Sequence, residues 1–181
     1  MGTDSLKAHK WQRFIEGPDN QLVEELYEPG LSIATHYDRS CAYFSSSVLS
    51  AAARGFSPFI ERLISLGDKA PKPAIRLLVN EELSEADAIA LQAKNDYSIL
   101  ERALKKRLKT PQTVLEKNRL QMLGWLVREG FLDLRVGIMR KTSGIVHAKF
   151  GLITDSKGDT VVFAGSGNES AQGLLANYEE L

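Results

Sequence analysis

His147 and Lys149 stand two residues apart in the apolar run Ile145-Val-His-Ala-Lys-Phe-Gly-Leu-Ile153. Such a run predicts a strand, and a strand alternates its side chains, so the imidazole and the ammonium share one face about 7 Å apart. Ser166 and Asn168 repeat the spacing just past the run Thr160-Val-Val-Phe-Ala164, with Gly165 and Gly167 beside them. Glycines there let the backbone approach a bulky anion. Imidazole can attack phosphorus or carry a proton, and an ammonium neutralises a phosphoryl oxygen. A hydroxyl and an amide donate hydrogen bonds to the charge that grows in a transition state. If the two strands pair through Ser156-Lys-Gly-Asp159, all four side chains converge. Taken singly, His-X-Lys reads as a solvated strand face and Gly-Ser-Gly as a turn. Their order along the chain is what narrows the chemistry.

The elements that must position these residues follow from pattern. Glu28-Pro29-Gly30 predicts a turn after Gln21–Tyr27, with a strand over Leu31–Thr35 and another over Cys41–Phe44. Ser45, Ser46 and Ser47 offer N-caps for a helix over Val48–Leu66, with Pro58 predicting a kink and Gly67 a stop. Ala74–Val79 is a nearly continuous apolar run, which suits a strand buried on both faces. Ser84–Leu108 reads as a long helix opened by Ser84 and Asp87, and Gln112–Arg128 as a further helix ending near Gly130. From Leu132 the period becomes two, predicting strands over Asp133–Met139, Ile145–Ile153 and Thr160–Ala164, and then a short helix over Glu169–Leu175. The expected fold is α/β, a single domain over 21–181 behind a leader segment 1–20, with a mixed sheet covered by helices.

Composition bounds the function. The 181 residues, 43% apolar and 25% charged, suit one soluble globular domain. Lys plus Arg and Asp plus Glu are 23 each, so global charge gives no argument for nucleic acid or anionic membrane. A local patch remains open. Arg102, Lys105, Lys106, Arg107 and Lys109, with Lys117 and Arg119, make seven basic residues against Glu101 and Glu116. They read either as a solvated helix face or as a strip for nucleic-acid phosphates. Trp11 and Trp125 could stack on bases, but Trp125 stands at helical spacing from Met122, which favours a core position. His36, beside Tyr37 and Asp38, reads as a surface or capping residue. Cys41 is the only cysteine, so no intrachain disulfide forms, as suits a reducing compartment. Met1–Gly17 has no apolar run of signal type, and no stretch approaches membrane-spanning length. The expectation is a cytoplasmic protein without membrane contact. Three His and one Cys, all scattered, have no metal-ligand spacing, and there is no Walker lysine loop; no metal or cofactor is expected.

The segment His147-Ala-Lys149-Phe-Gly-Leu-Ile-Thr-Asp155, followed by Gly165-Ser166-Gly167-Asn168 and then Asn177-Tyr-Glu179, resembles the motif of the phospholipase D superfamily, the HKD phosphodiesterases. The spacer from Lys149 to Asp155 is five residues where the family has four, which sets Asp155 apart as a supporting residue. The match spans 145–181. Upstream the likeness is looser, and is greatest to the nuclease-like domain at the N-terminus of SWI/SNF-like bacterial helicases. The resemblance implies a phospholipase D-like mixed sheet with helices on both faces. It implies a catalytic set of His147, Lys149, Ser166, Asn168 and Glu179. The family uses two motifs per active site, one His attacking phosphorus to form a phosphohistidine and the other protonating the leaving oxygen, with no metal. One motif in this chain implies a homodimer with two copies of His147 across a two-fold axis. Glu179 would fix the tautomer of His147. The chain ends just past Glu179, so a longer polypeptide with a helicase domain beyond Leu181 is expected. The expected activity is a DNA nuclease. The alternatives are a phospholipid-processing enzyme of the same superfamily, for which no membrane anchor is evident, and a catalytically silent DNA-binding or dimerisation module.

Overall fold

In the computed structural model, the residues described are 5–15, 21–41, 53–80, 114–137 and 148–165. Five strands, β1 (Ala34–Cys41), β2 (Ile75–Asn80), β3 (Leu132–Gly137), β4 (Phe150–Asp155) and β5 (Thr160–Ala164), form one sheet in the order β3-β2-β1-β4-β5. β1, β2 and β3 run parallel, and β4 runs antiparallel to both β1 and β5. Parallel neighbours need crossovers, and helices supply them. Helix α1 (Glu28–Ile33) continues a π-helical stretch, Val23–Tyr27, and leads straight into β1. Helix α2 (Ala53–Leu66) lies between β1 and β2, and α3 (Val114–Arg128) precedes β3.

α2 buries Phe56, Phe59, Ile60 and Leu63, a stripe at i, i+3, i+4 and i+7, against the sheet face that carries Tyr37, Ile75, Leu77 and Ile153. The Phe56 ring meets Tyr37 edge-on at 5.7 Å between centroids. Pro58 lies within α2 without ending it. At the end of α3, Phe131 N–H bonds to Leu126 C=O and Gly130 N–H to Val127 C=O, with Gly130 at φ 77°. This is the Schellman arrangement, which requires a left-handed residue and so favours glycine. Trp125 meets Phe131 at a tilt, 5.5 Å between centroids, and packs on the core.

The result is a mixed sheet flanked by helices in a single domain, as the sequence predicts. The strands over 75–80, 132–137 and 160–164 stand where the pattern places them. The entry to β1 differs. Glu28-Pro29-Gly30 lies inside a helix, and the strand expected over Leu31–Thr35 stands at Ala34–Cys41 instead; the strand expected over Cys41–Phe44 lies, beyond Cys41, outside the described residues. Leu6 and Ile15, from the segment read as a leader, are buried in the main core. The expected helix over Ser84–Leu108 and the short helix over Glu169–Leu175 lie outside the described residues. No helix among the described residues is long and apolar enough to cross a membrane.

Candidate active site

The sequence places its chemistry where β4 begins and β5 ends. The β4–β5 ladder pairs Phe150 with Ala164 and Thr154 with Thr160, so the 156–159 connection is a hairpin. The ladder reaches one step further, because Gly165 N–H donates to Lys149 C=O at 3.1 Å. The last described residue of one motif segment is thus bonded to Lys149 of the other. The neighbour on the opposite side is the carboxyl end of β1, where Ser40 pairs with Phe150. This edge is also the carboxyl edge of the three parallel strands, where α/β sheets bind ligands.

Two hydrogen bonds fix the peptides on either side of Lys149. The Ser40 hydroxyl, itself buried, donates to Ala148 C=O at 3.0 Å, and Gly165 donates to Lys149 C=O. A hydrogen bond of this kind contributes about 1 kcal/mol, but its larger effect here is to hold the residue between positions 147 and 149. Lys149 is half-buried, and strand alternation puts it on the face of Gly151 and Ile153, the core face.

Behind Lys149 on that face the sheet carries a charge. Arg39 is 2% exposed, and in register it lies between Gly151 of β4 and Leu77 of β2. Its guanidinium carbon sits 4.9 Å from the centroid of the Phe163 ring, a cation–π contact. The ring occupies the space above Gly151, where an added Cβ would come within 2.3 Å of Phe163 Cζ. Neither Ser40 nor Arg39 is singled out by sequence pattern. The available signal was the polar run Asp38-Arg39-Ser40 inside an eight-residue central strand.

Asp155 lies at the far end of β4, six residues or about 20 Å from Lys149 along the strand. It is 2% exposed. One carboxylate oxygen accepts from Lys157 N–H at 2.8 Å and Asp159 N–H at 3.0 Å, and the other from Leu6 N–H at 2.8 Å. Burial alone would raise its pKa, yet the backbone bonds from Leu6, Lys157 and Asp159 outweigh it and hold the carboxyl below its ordinary value. Its place is structural: it ties the hairpin to the N-terminal segment.

His147, Ser166, Asn168 and Glu179, and the basic residues Arg102, Lys105, Lys106, Arg107 and Lys109, lie outside the described residues. Of the predicted set the structure therefore places Lys149 and Asp155, at opposite ends of one strand. The other two histidines are remote from Lys149. His36 pairs with Thr154 towards the Asp155 end, with Nδ1 3.1 Å from the Thr35 hydroxyl. His9 meets the Trp11 ring at a tilt, 4.4 Å between centroids.

No family model and no curated protein matches the chain. Among solved structures it is similar to NucT from Helicobacter pylori, with 16% identity over 93% of this chain and 83% of that one and a TM-score of 0.48. At that level of superposition the likeness says nothing about activity.

Proposed function

We propose that this chain is a phosphodiesterase of the phospholipase D type, a nuclease acting on DNA through a covalent histidine intermediate. The observation that carries the reading is the bond between Gly165 N–H and Lys149 C=O. It joins the two motif segments through their described residues, Lys149 two positions after His147 in sequence and Gly165 directly before Ser166.

In this reading a ring nitrogen of His147 attacks phosphorus, and the bond to the leaving oxygen breaks as His147 of the partner subunit gives that oxygen a proton. The same imidazole then takes a proton from water, whose oxygen displaces the phosphohistidine and restores free His147. Lys149 balances charge on the non-bridging oxygens, Ser166 and Asn168 donate to them, and Glu179 holds the His147 tautomer. The chain carries one motif, and the described histidines at 9 and 36 are engaged elsewhere, which favours a site completed by a second copy. The basic residues from Arg102 to Lys109 would track the nucleic-acid backbone, and a helicase would be the attached motor.

The test uses the full chain with a generic phosphodiester and with DNA. His147→Ala is expected to cut hydrolysis by about a thousandfold or more while circular dichroism and thermal midpoint stay unchanged. EDTA is expected to leave the wild-type rate intact, and sedimentation to show a dimer. Unchanged turnover in the variant overturns the reading, and a monomer retaining full activity overturns the shared site.

A further inference from the structure

Among the described residues, β5 ends the sheet, and one of its sides meets no strand. Its register against β4 says which groups face that side. Asp155 N–H bonds to Asp159 C=O at one end of the hairpin, and Gly165 N–H to Lys149 C=O at the other. Antiparallel strands alternate bonded and non-bonded pairs. Val161 and Phe163 therefore turn their N–H and C=O towards β4, and Thr160, Val162 and Ala164 turn theirs outward. An outward row of this kind is a template for another strand, and proteins blunt it with charge, proline or a bulge, or cover it. β5 has no charged residue and no proline, its register with β4 is unbroken, and Val162 is 68% exposed. What stands at this edge is the N-terminal segment. Residues 161–164 line a hollow of about 180 Å³ together with Trp11, Gln12, Arg13 and Ile15. Successive side chains of a strand alternate faces, so a hollow touched by four residues in a row lies at the strand's edge. The segment is held by packing, with Leu6 1% and Ile15 7% exposed and Trp11 against the core. The Ser5 hydroxyl donates to Asp159 at 2.6 Å, and the Trp11 indole N–H to Leu6 C=O at 2.8 Å. Among the described residues no backbone bond joins residues 11–15 to β5, so the segment covers the edge without pairing with it.

We propose that residues 5–15 are an edge guard: they occupy the open side of β5 and keep a second copy of this chain from adding its own β5 there. The strand is suited to pair with itself. About a two-fold axis at Val162, the outward groups of Thr160, Val162 and Ala164 meet the same three sets in reverse order, and the strand brings no charge to oppose its twin. This contact is separate from the two-fold site of the phosphodiesterase reading and does not rest on that reading. Because the guard holds through Leu6, Trp11 and Ile15 rather than through ladder bonds, it can be loosened without breaking the sheet.

The experiment is sedimentation velocity of the full chain over a range of concentrations. Trp11→Ala combined with Ile15→Ala, which loosens the guard, is expected to give species of about twice the wild-type mass or more, growing with concentration. Adding Val162→Pro is expected to restore the wild-type mass, because proline removes an outward N–H that β4 does not use. Should the double variant fail to fold by circular dichroism, Trp11→Ala alone takes its place with the same expectation. Thermal midpoints check the edge in the wild-type background. Val162→Pro is expected to lower the midpoint by about 2 °C or less, and Val161→Pro, which removes a ladder bond, by about 6 °C or more. A folded guard variant that sediments as wild type overturns the proposal. Association that survives Val162→Pro overturns it too, since the contact then lies elsewhere, and so do equal midpoint losses in the two proline variants.

Discussion

Strand β4 begins beside Lys149 and ends at Asp155, and its two ends use polar groups in opposite ways. At the Asp155 end the side chain is the holding element. Both carboxylate oxygens are taken by backbone N–H groups of residues 6, 157 and 159. At the Lys149 end the holding is done by main-chain carbonyls, with Ser40 gripping residue 148 and Gly165 gripping residue 149. A charged residue engaged by several backbone donors is an anchor. Asp155 is in that sense the stability end of the strand, and Lys149 is the end that the proposed phosphodiesterase reading uses.

The contrast is sharpest in a pair of variants. Lys149→Met is expected to reduce phosphodiester turnover by about a hundredfold to a thousandfold, the cost of losing one stabilising charge at a reacting group, with no change in denaturant midpoint. A stability loss with unchanged turnover would reverse the assignment. Asp155→Ala is expected to do the converse, lowering unfolding free energy by about 2–3 kcal/mol, since three backbone donors lose a charged acceptor, while turnover per folded molecule is kept. The same carboxylate sets a pH dependence. Its folded pKa lies below the unfolded value, so its contribution is fully present above the ordinary carboxylate range near pH 4 and is lost as pH falls through the folded value. Thermal midpoints followed from pH 7 to pH 2 should drop less steeply in Asp155→Asn than in wild type. The smallest effect is expected on the opposite sheet face, where Arg76 pairs with Asp38 but is 61% exposed. Arg76→Ala should change stability by no more than about 0.5 kcal/mol in urea unfolding.

Local chemistry was legible in the sequence wherever it was decided locally. The β4–β5 hairpin could be read from alternation around Ser156–Asp159, and the end of α3 from Gly130, because turn geometry and helix termination depend on a few adjacent residues. Glu28-Pro29-Gly30 misled for the complementary reason. Pro29 stands where the π-helical stretch passes into α1, inside continuous helix, and Gly30 is small because Ile153 presses on it, a contact 123 positions away. Arg39 and Ser40 were invisible for the same kind of reason. Their meaning depends on the register of β1 against β4, joined by more than a hundred intervening residues.

The tie between Leu6 and Asp155 has a bearing on biosynthesis. Leu6, 1% exposed, and the carboxylate that receives its N–H are 149 positions apart. A ribosome delivers the first long before the second. The N–H of Leu6 must therefore wait for its carboxylate until the hairpin emerges. Closing so long a loop is a slow, late event. A chaperone that shields the segment around Leu6 would guard a piece of this domain that, like β1, is completed only by the late hairpin.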